Sequence, residues 1–202
     1  KDLRLRFDEA CESLDASNQG LLPDEALLMS FWLRSSKMVA ATSSFDISGN
    51  PGLVGRLSDY SGRVNQVDAN LTEFKQLLDA VGQLENLNSL KLANIGMGPK
   101  GAELTSAMLS SPKMIAGGIS SLSVSDNPIC GGAKKGLSWS PQLVLDTDLS
   151  GLQQLCHAIS NSNIHTVNLV KCQLGPKAMG PIAKMLSSDK MIAAISSLDI
   201  SC

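Results

Sequence analysis

The chain has 202 residues, of which 43% are hydrophobic and 18% charged, and its formal net charge is −2. This balance is typical of a folded globular protein and excludes a chain that is disordered throughout. The small net charge gives no basis for expecting a nucleic-acid partner. No apolar run approaches the roughly 18 residues of a membrane span, so we expect none.

The five cysteines never occur at Cys-x-x-Cys spacing. An odd count without paired spacing argues against a disulfide framework and against a zinc site. We therefore expect free thiols in a reducing compartment, which predicts an intracellular, cytoplasmic protein. The sequence offers no reason to expect a metal or another cofactor.

Five-residue stretches with alternating apolar residues recur along the whole chain. They begin at residues 13, 44, 89, 121, 166 and 197, so consecutive starts lie 31, 45, 32, 45 and 31 residues apart. The repeating unit is therefore a pair, a short module of ~31 residues followed by a long module of ~45. A fixed period of this kind predicts a solenoid.

The short module that begins at Ser89 predicts one strand and one helix. Leu90 and Leu92 alternate with polar or small residues, as in a strand with one buried face. Pro99 suits a first helical position, and Pro112 marks the end or a sharp bend of that helix. Gly-Pro-Lys returns at residues 175–177, so we expect the same module there.

The long modules carry an asparagine at the same place after the strand, Asn50 and Asn127. An asparagine there can bond the backbone of neighbouring units. An inserted loop follows in each, at residues 52–68 and 129–147. A helix is then expected to start near Asn70 and near Asp148, both of which are good caps.

These motifs resemble the leucine-rich repeats. Residues 167–175, Val-Asn-Leu-Val-Lys-Cys-Gln-Leu-Gly, fit the LxLxxCxLG core, and residues 122–129 fit its asparagine version. The helices that start with Gly-Pro-Lys are similar to the ribonuclease-inhibitor-like class. The resemblance implies an α/β solenoid over residues 1–202, with a concave parallel sheet and convex helices. Without a polar capping repeat at either end, we expect a piece of a longer array. Cys172 corresponds to Gln19 and Ile95 in the other short modules, so we expect no regular ladder of asparagine or cysteine.

The resemblance to leucine-rich repeats also implies which residues of each strand lie on its two faces. One face should point inward, with the residues Leu14, Ala16, Phe45, Ile47, Leu90, Leu92, Leu122, Val124, Val167, Leu169, Leu198 and Ile200. The other face should present the middle residue of each strand, a set called here the central row: Asp15, Asp46, Lys91, Ser123, Asn168 and Asp199.

Candidates for catalysis or metal binding are weak. Cys156 and His157 could suggest a nucleophile and a base, but neighbours on a helix point about 100° apart. Asp146 and Asp148 lack the spacing of a calcium loop, and helix capping is the better interpretation. The loop at residues 131–136 could bind an anion, although a Gly- and Lys-bearing exposed loop explains it equally well. We expect no enzyme.

Two contact sites are predicted, each with an open alternative. The central row either receives a protein segment, for instance a basic one, or is a solvated face that binds nothing. Tyr60 and Trp139 on the inserted loops either contact a partner or fold back to close their own loops.

The best functional interpretation is a non-enzymatic scaffold for protein–protein interaction. Such a module would bind protein partners as the recognition part of a larger protein or assembly. The alternative, also by resemblance, is a regulator of a small GTPase of the Ran GTPase-activating type, although the acidic tail of that family is absent. The fold does not decide between them.

Overall fold

The computed structural model describes residues 10–135 and 142–201. All ten strands within these residues are short, because each repeat contributes only a few extended residues. The strands are β1 (Ser13–Asp15), β2 (Ser44–Asp46), β3 (Arg56–Leu57), β4 (Val64–Gln66), β5 (Ser89–Lys91), β6 (Ser121–Ser123), β7 (Ala133–Lys135), β8 (Gln142–Val144), β9 (Thr166–Asn168) and β10 (Ser197–Asp199).

Six of these strands form one parallel sheet in the order β1-β2-β5-β6-β9-β10. They are the six stretches that the repeat predicts, and they pair without a register shift, so that Leu14 lies beside Phe45 and Phe45 beside Leu90. The connections are long enough to carry helices, as parallel strands require. The expectation of an α/β fold with a parallel sheet is confirmed.

Helices follow the strands, and proline fixes several of their starts. Pro23, Pro99 and Pro112 occupy the first turn of a helix, where the missing N–H has no helical partner to lose. A 3-10 turn at Pro176–Ala178 takes this place in the last short module. The helices are α1 (Pro23–Leu33), α2 (Ser36–Ala41), α3 (Leu71–Val81), α4 (Pro99–Leu109), α5 (Pro112–Gly117), α6 (Ser150–Asn161), α7 (Met179–Leu186) and α8 (Asp189–Ala194).

The core lies between the sheet and the long helices. Of the twelve residues predicted to point inward, the ten from β1 to β9 are buried, as expected. Leu198 and Ile200 are only half-buried, because β10 is paired with β9 alone in the described part of the chain. Helix α4 packs closely on α6: a Cβ at Gly151 would lie 2.3 Å from the carbonyl oxygen of Pro99.

Two buried asparagines join neighbouring repeats. Asn127 accepts the backbone N–H groups of Ile95 and Met97, both at 3.1 Å, and donates to the carbonyl oxygen of Leu92 at 2.7 Å. Asn50 does the same one pair of modules earlier, where it accepts the N–H of Leu21 at 3.0 Å. The expected bonding of Asn50 and Asn127 to neighbouring units is confirmed.

The segments at 52–68 and 129–147 were predicted to be loops, but each contains a small antiparallel hairpin. β3 pairs with β4 in the first, and β7 pairs with β8 in the second. Asn70 was expected to cap α3, but its side chain makes no capping bond; it donates instead to the carbonyl oxygens of Gly52 and Gly55. These carbonyls belong to the inserted loop and lack a neighbouring strand, so the side-chain amide replaces the missing partner.

Candidate functional site

The register of the sheet brings the central row into one line. Asp15 is the partner of Asp46, Asp46 of Lys91 and Lys91 of Ser123. The line continues from Ser123 to Asn168 and on to Asp199. Six side chains that are distant in sequence therefore share one exposed or half-buried strip across all six strands.

Short local bonds hold the acidic members of this row in place. Asp15, Asp46 and Asp199 each accept the backbone N–H two residues further on, at 2.9, 2.9 and 3.1 Å. Asn168 makes the same bond to Val170 at 3.0 Å. Hydrogen bonds from the side chain and backbone of Ser17 lower the pKa of Asp15, with a smaller contribution from Lys91. The row is therefore ordered before any partner arrives.

The charges along the row are uneven. Lys91 lies 3.3 Å from Asp46 and forms an ion pair with it, and the lysine side chain is about half exposed. Such a pair contributes little to stability in water. It does neutralise one aspartate, so the remaining negative charge of the row lies at its two ends, on Asp15 and Asp199.

Small side chains flank the row on both sides. Residues two apart on a strand share a face, so the row has one neighbour before it and one after it on each strand. All of these are small or medium-sized: Ser13, Ser44, Ser89, Ser121, Thr166 and Ser197 before it, and Ser17, Ser48, Ala93, Ser125, Val170 and Ser201 after it. A partner could therefore approach this face closely.

A groove of about 760 Å³ lies where the strands end, beside the first hairpin. One wall comes from that hairpin and includes Ser58, Arg63 and Asn65. The other comes from the turns after β5, β6 and β9 and includes Asn94, Asp126 and Gln173. Asp126 lies 3.8 Å from Lys171, an exposed ion pair at the rim. Sequence reasoning missed this groove, because its walls are four segments far apart in the chain.

Tyr60, the aromatic residue of the first inserted loop, does not pack against its own loop. The side chain of Tyr60 is fully exposed to solvent at the tip of the first hairpin. The interpretation in which it folds back onto its own loop is therefore wrong, because the hairpin ladder orders the loop without it. Trp139 lies outside the described residues.

The weak catalytic candidates line one groove on the helical side but differ in exposure. Cys156 is buried and His157 exposed, as their helical positions predict. Burial raises the pKa of the Cys156 thiol to about 12, which leaves no reactive thiolate near neutral pH. Within residues 10–135 and 142–201, no cluster of three histidine, cysteine, aspartate or glutamate side chains is placed to hold a metal ion. Across those same residues, no helix combines the length and apolar character needed to cross a bilayer.

Two aspartates at and just after the end of the second inserted loop accept backbone N–H groups at the start of helical segments. Asp148 accepts the N–H of Ser150 at the start of α6, and its bonds to the Ser150 side chain and backbone lower its pKa. Asp146 accepts the N–H groups of Gly175 and Lys177 in the next repeat. Capping of a helix start was predicted for both: Asp146 caps across repeats, whereas the N-cap of α6 is Leu149 without a side-chain capping bond, and Asp148 bonds the first turn from the preceding position. The anion loop at 131–136 lies partly outside the described residues.

Asp68, at the end of the first inserted loop, makes the equivalent contact with the start of α4 in the next repeat. Sequence reasoning missed this residue. Asp68 accepts the N–H groups of Gly98, Lys100 and Gly101, at 2.7, 2.8 and 3.0 Å. The available signal was an aspartate that precedes each Gly-Pro-Lys at nearly equal distance. The inserted loops are thus attached to the repeat that follows them.

Comparison with known proteins identifies a fold but no family. Neither the protein-family profiles nor the curated proteins give a match. Among solved structures, the chain is similar to leiomodin-1 actin-binding site 2, with a TM-score of 0.53 and 16% sequence identity. The match covers 89% of this chain and 79% of that one. At this identity the likeness extends to the fold, a repeat-like arrangement of parallel strands and helices.

Proposed function

We propose that this protein is a leucine-rich-repeat solenoid of the ribonuclease-inhibitor-like class that acts as a non-enzymatic protein-interaction module. The alternation of modules, the parallel sheet and the fold of the structural relative support the class. The role would be that of a recognition module within a larger intracellular protein or assembly.

The observation that carries the function is the ordered central row. Its aspartates are fixed by bonds to their own backbone, and small side chains surround them. Binding to such a surface costs little side-chain entropy, so more of the contact energy remains as affinity. The exposed ring of Tyr60 adds an anchor of the kind that contributes strongly at interfaces.

The name of the structural relative suggests one partner for a first test. That protein region is described as an actin-binding site. Actin therefore belongs in the first binding experiment beside a complete cell lysate. The proposal itself requires a protein partner on the sheet face and does not depend on actin.

Lysine-reactive cross-linking after affinity capture tests the proposal. Lys91 and Lys171 report on the sheet face and the groove, whereas Lys75, Lys100 and Lys184 report on the helices. We expect a captured protein to cross-link to the first pair. Cross-links confined to the helical lysines would contradict the assignment of the binding face.

A further inference from the structure

Three side-chain amides line the groove. Asn65 comes from β4, Asn94 follows β5 and Gln173 follows β9. Within the described part of the chain, none of the three side chains makes a hydrogen bond or another polar contact. The side-chain amides of Asn50 and Asn127, by contrast, are bonded to the backbone of their own repeat and of the preceding one.

A free carboxamide is chemically matched to a peptide group. Its oxygen accepts and its nitrogen donates, so it can bind the N–H and the C=O of an extended backbone together. A helix offers no such groups except at its ends, because its interior backbone is bonded internally. The three amides therefore select for an extended segment.

The spacing of the two turn amides fits such a segment. Asn94 follows β5 and Gln173 follows β9, and β6 lies between these strands. The two strands lie two strand spacings apart, about 10 Å, and Gln173 is five residues past Asn168 whereas Asn94 is three past Lys91, so a segment that joins the two amides needs at least about three extended residues. A segment that crosses the ends of the strands would thus present a free peptide group to each amide.

The walls of the groove also indicate the chemistry of one side chain on the bound segment. Arg63 is exposed on the hairpin wall and makes no ion pair with another described residue. A guanidinium in this situation favours a carboxylate, which it can bind through two parallel hydrogen bonds. Asp126 on the opposite wall is already paired with Lys171.

We propose that this groove binds an extended, acidic segment of a protein partner, its backbone held by Asn65, Asn94 and Gln173 and one carboxylate by Arg63. This inference rests on the proposed function and assigns a second site to it, next to the central row. The groove also lies beside the hairpin that carries Tyr60, so that the ring can contact the residues that leave the groove.

Selection from a random peptide library on the purified full chain tests this site. Selected peptides are measured against the triple variant Asn65→Ala, Asn94→Ala, Gln173→Ala. The matched control removes three amides from the helical side, Gln76→Ala, Gln83→Ala and Gln153→Ala. We expect affinity to fall at least about tenfold for the groove variant and to stay within about twofold for the control.

Two further measurements separate the elements of the proposal. Methylation of individual backbone nitrogens in the peptide should abolish binding at two or more positions. Arg63→Gln should weaken peptides that contain an acidic residue and leave their Asp→Asn and Glu→Gln counterparts unchanged. All three substituted amides are at least partly exposed, so circular dichroism should show an unchanged fold.

Several outcomes would overturn the inference. Among them are failure to select any peptide, selected peptides that bind both triple variants equally, and binding that tolerates methylation at every nitrogen. A partner that needs the central row but ignores the groove variant would refute this site and leave the proposed function standing.

Discussion

The carboxylate of Asp146 occupies the space that a side chain on Gly175 would need. Asp146 accepts the N–H of Gly175 at 2.9 Å, and a Cβ at Gly175 would lie 2.3 Å from the second carboxylate oxygen. The end of the second inserted loop is thus fitted to a glycine in the following repeat. The backbone of Asp146 is left-handed, with φ of 55°, a conformation that aspartate tolerates better than most residues.

Gly175→Ala should therefore destabilise the protein by about 2 kcal/mol, because either the cap or the turn must move. Gly180→Ala is the matched control, since a Cβ there meets no described atom within 4 Å and the residue lies in α7. That change should raise stability by about 0.5 kcal/mol. Urea unfolding measures both. Equal effects of the two substitutions would show that the contact with Asp146 does not constrain Gly175.

Asn127→Ala should cost at least about 3 kcal/mol of unfolding free energy, because it orphans several buried backbone groups at once. The groups include the N–H of Ile95 and Met97 and the carbonyl of Leu92. Asn65→Ala is the control: it removes an exposed amide from β4 and should stay within about 0.5 kcal/mol of the wild type. Similar midpoints for the two variants in urea would refute the structural role of Asn127.

The strands and the roles of their alternating residues could be predicted from sequence. The period of two places Leu90 and Leu92 inside and Lys91 outside, and the repeat fixes the register of Lys91 beside Asp46 and Ser123. Asn127 was predicted to bridge repeats because its place after the strand recurs at Asn50. Local pattern and repetition are enough for features of this kind.

Contacts between segments of unlike sequence could not be predicted. The hairpin strands β3 and β4 have two and three residues, too few for a readable alternation. The groove combines that hairpin with the turns at Asn94 and Gln173, whose nearness depends on how the inserted loop folds. The contact of Asp68 with Gly98 spans 30 residues and joins an inserted loop to the next repeat.

Of the four cysteines among the described residues, the three with buried thiols should resist alkylation in the folded state at pH 8. Burial raises the pKa of Cys130, Cys156 and Cys172 to about 12, and the thiolate is the reacting species. Mass spectrometry after iodoacetamide treatment should show labelling of the half-buried Cys11 and protection of these three. Labelling of all four at equal rates would contradict the burial.

The same raised pKa values predict a loss of stability at high pH. The folded protein holds the thiol protons up to about pH 12, whereas the unfolded chain releases them from about pH 9, the ordinary value being 9.0. Stability is therefore unaffected by these groups below pH 9 and falls as the pH rises from 9 towards 12. The free energy of unfolding, measured in urea at a series of pH values, should fall less steeply between pH 9 and 12 for Cys172→Ala than for the wild type.

Tyr60→Ser should leave the fold unchanged and weaken partner binding. The ring is fully exposed, so its removal should alter the unfolding free energy by less than about 0.5 kcal/mol. A partner that contacts the hairpin should lose at least about fivefold in affinity, or about 1 kcal/mol. Unchanged affinity for every identified partner would exclude the ring as an anchor.

The central claim is that partners bind the central row, and the affinity of the double variant Asp46→Arg, Asp199→Arg tests it most directly. The control, Asp79→Arg with Glu85→Arg, reverses two exposed charges away from the sheet face, each of which has a surface lysine partner as Asp46 does. We expect the dissociation constant of an identified partner to rise at least about tenfold for the row variant and less than about twofold for the control. Unchanged affinity in the row variant would contradict the claim.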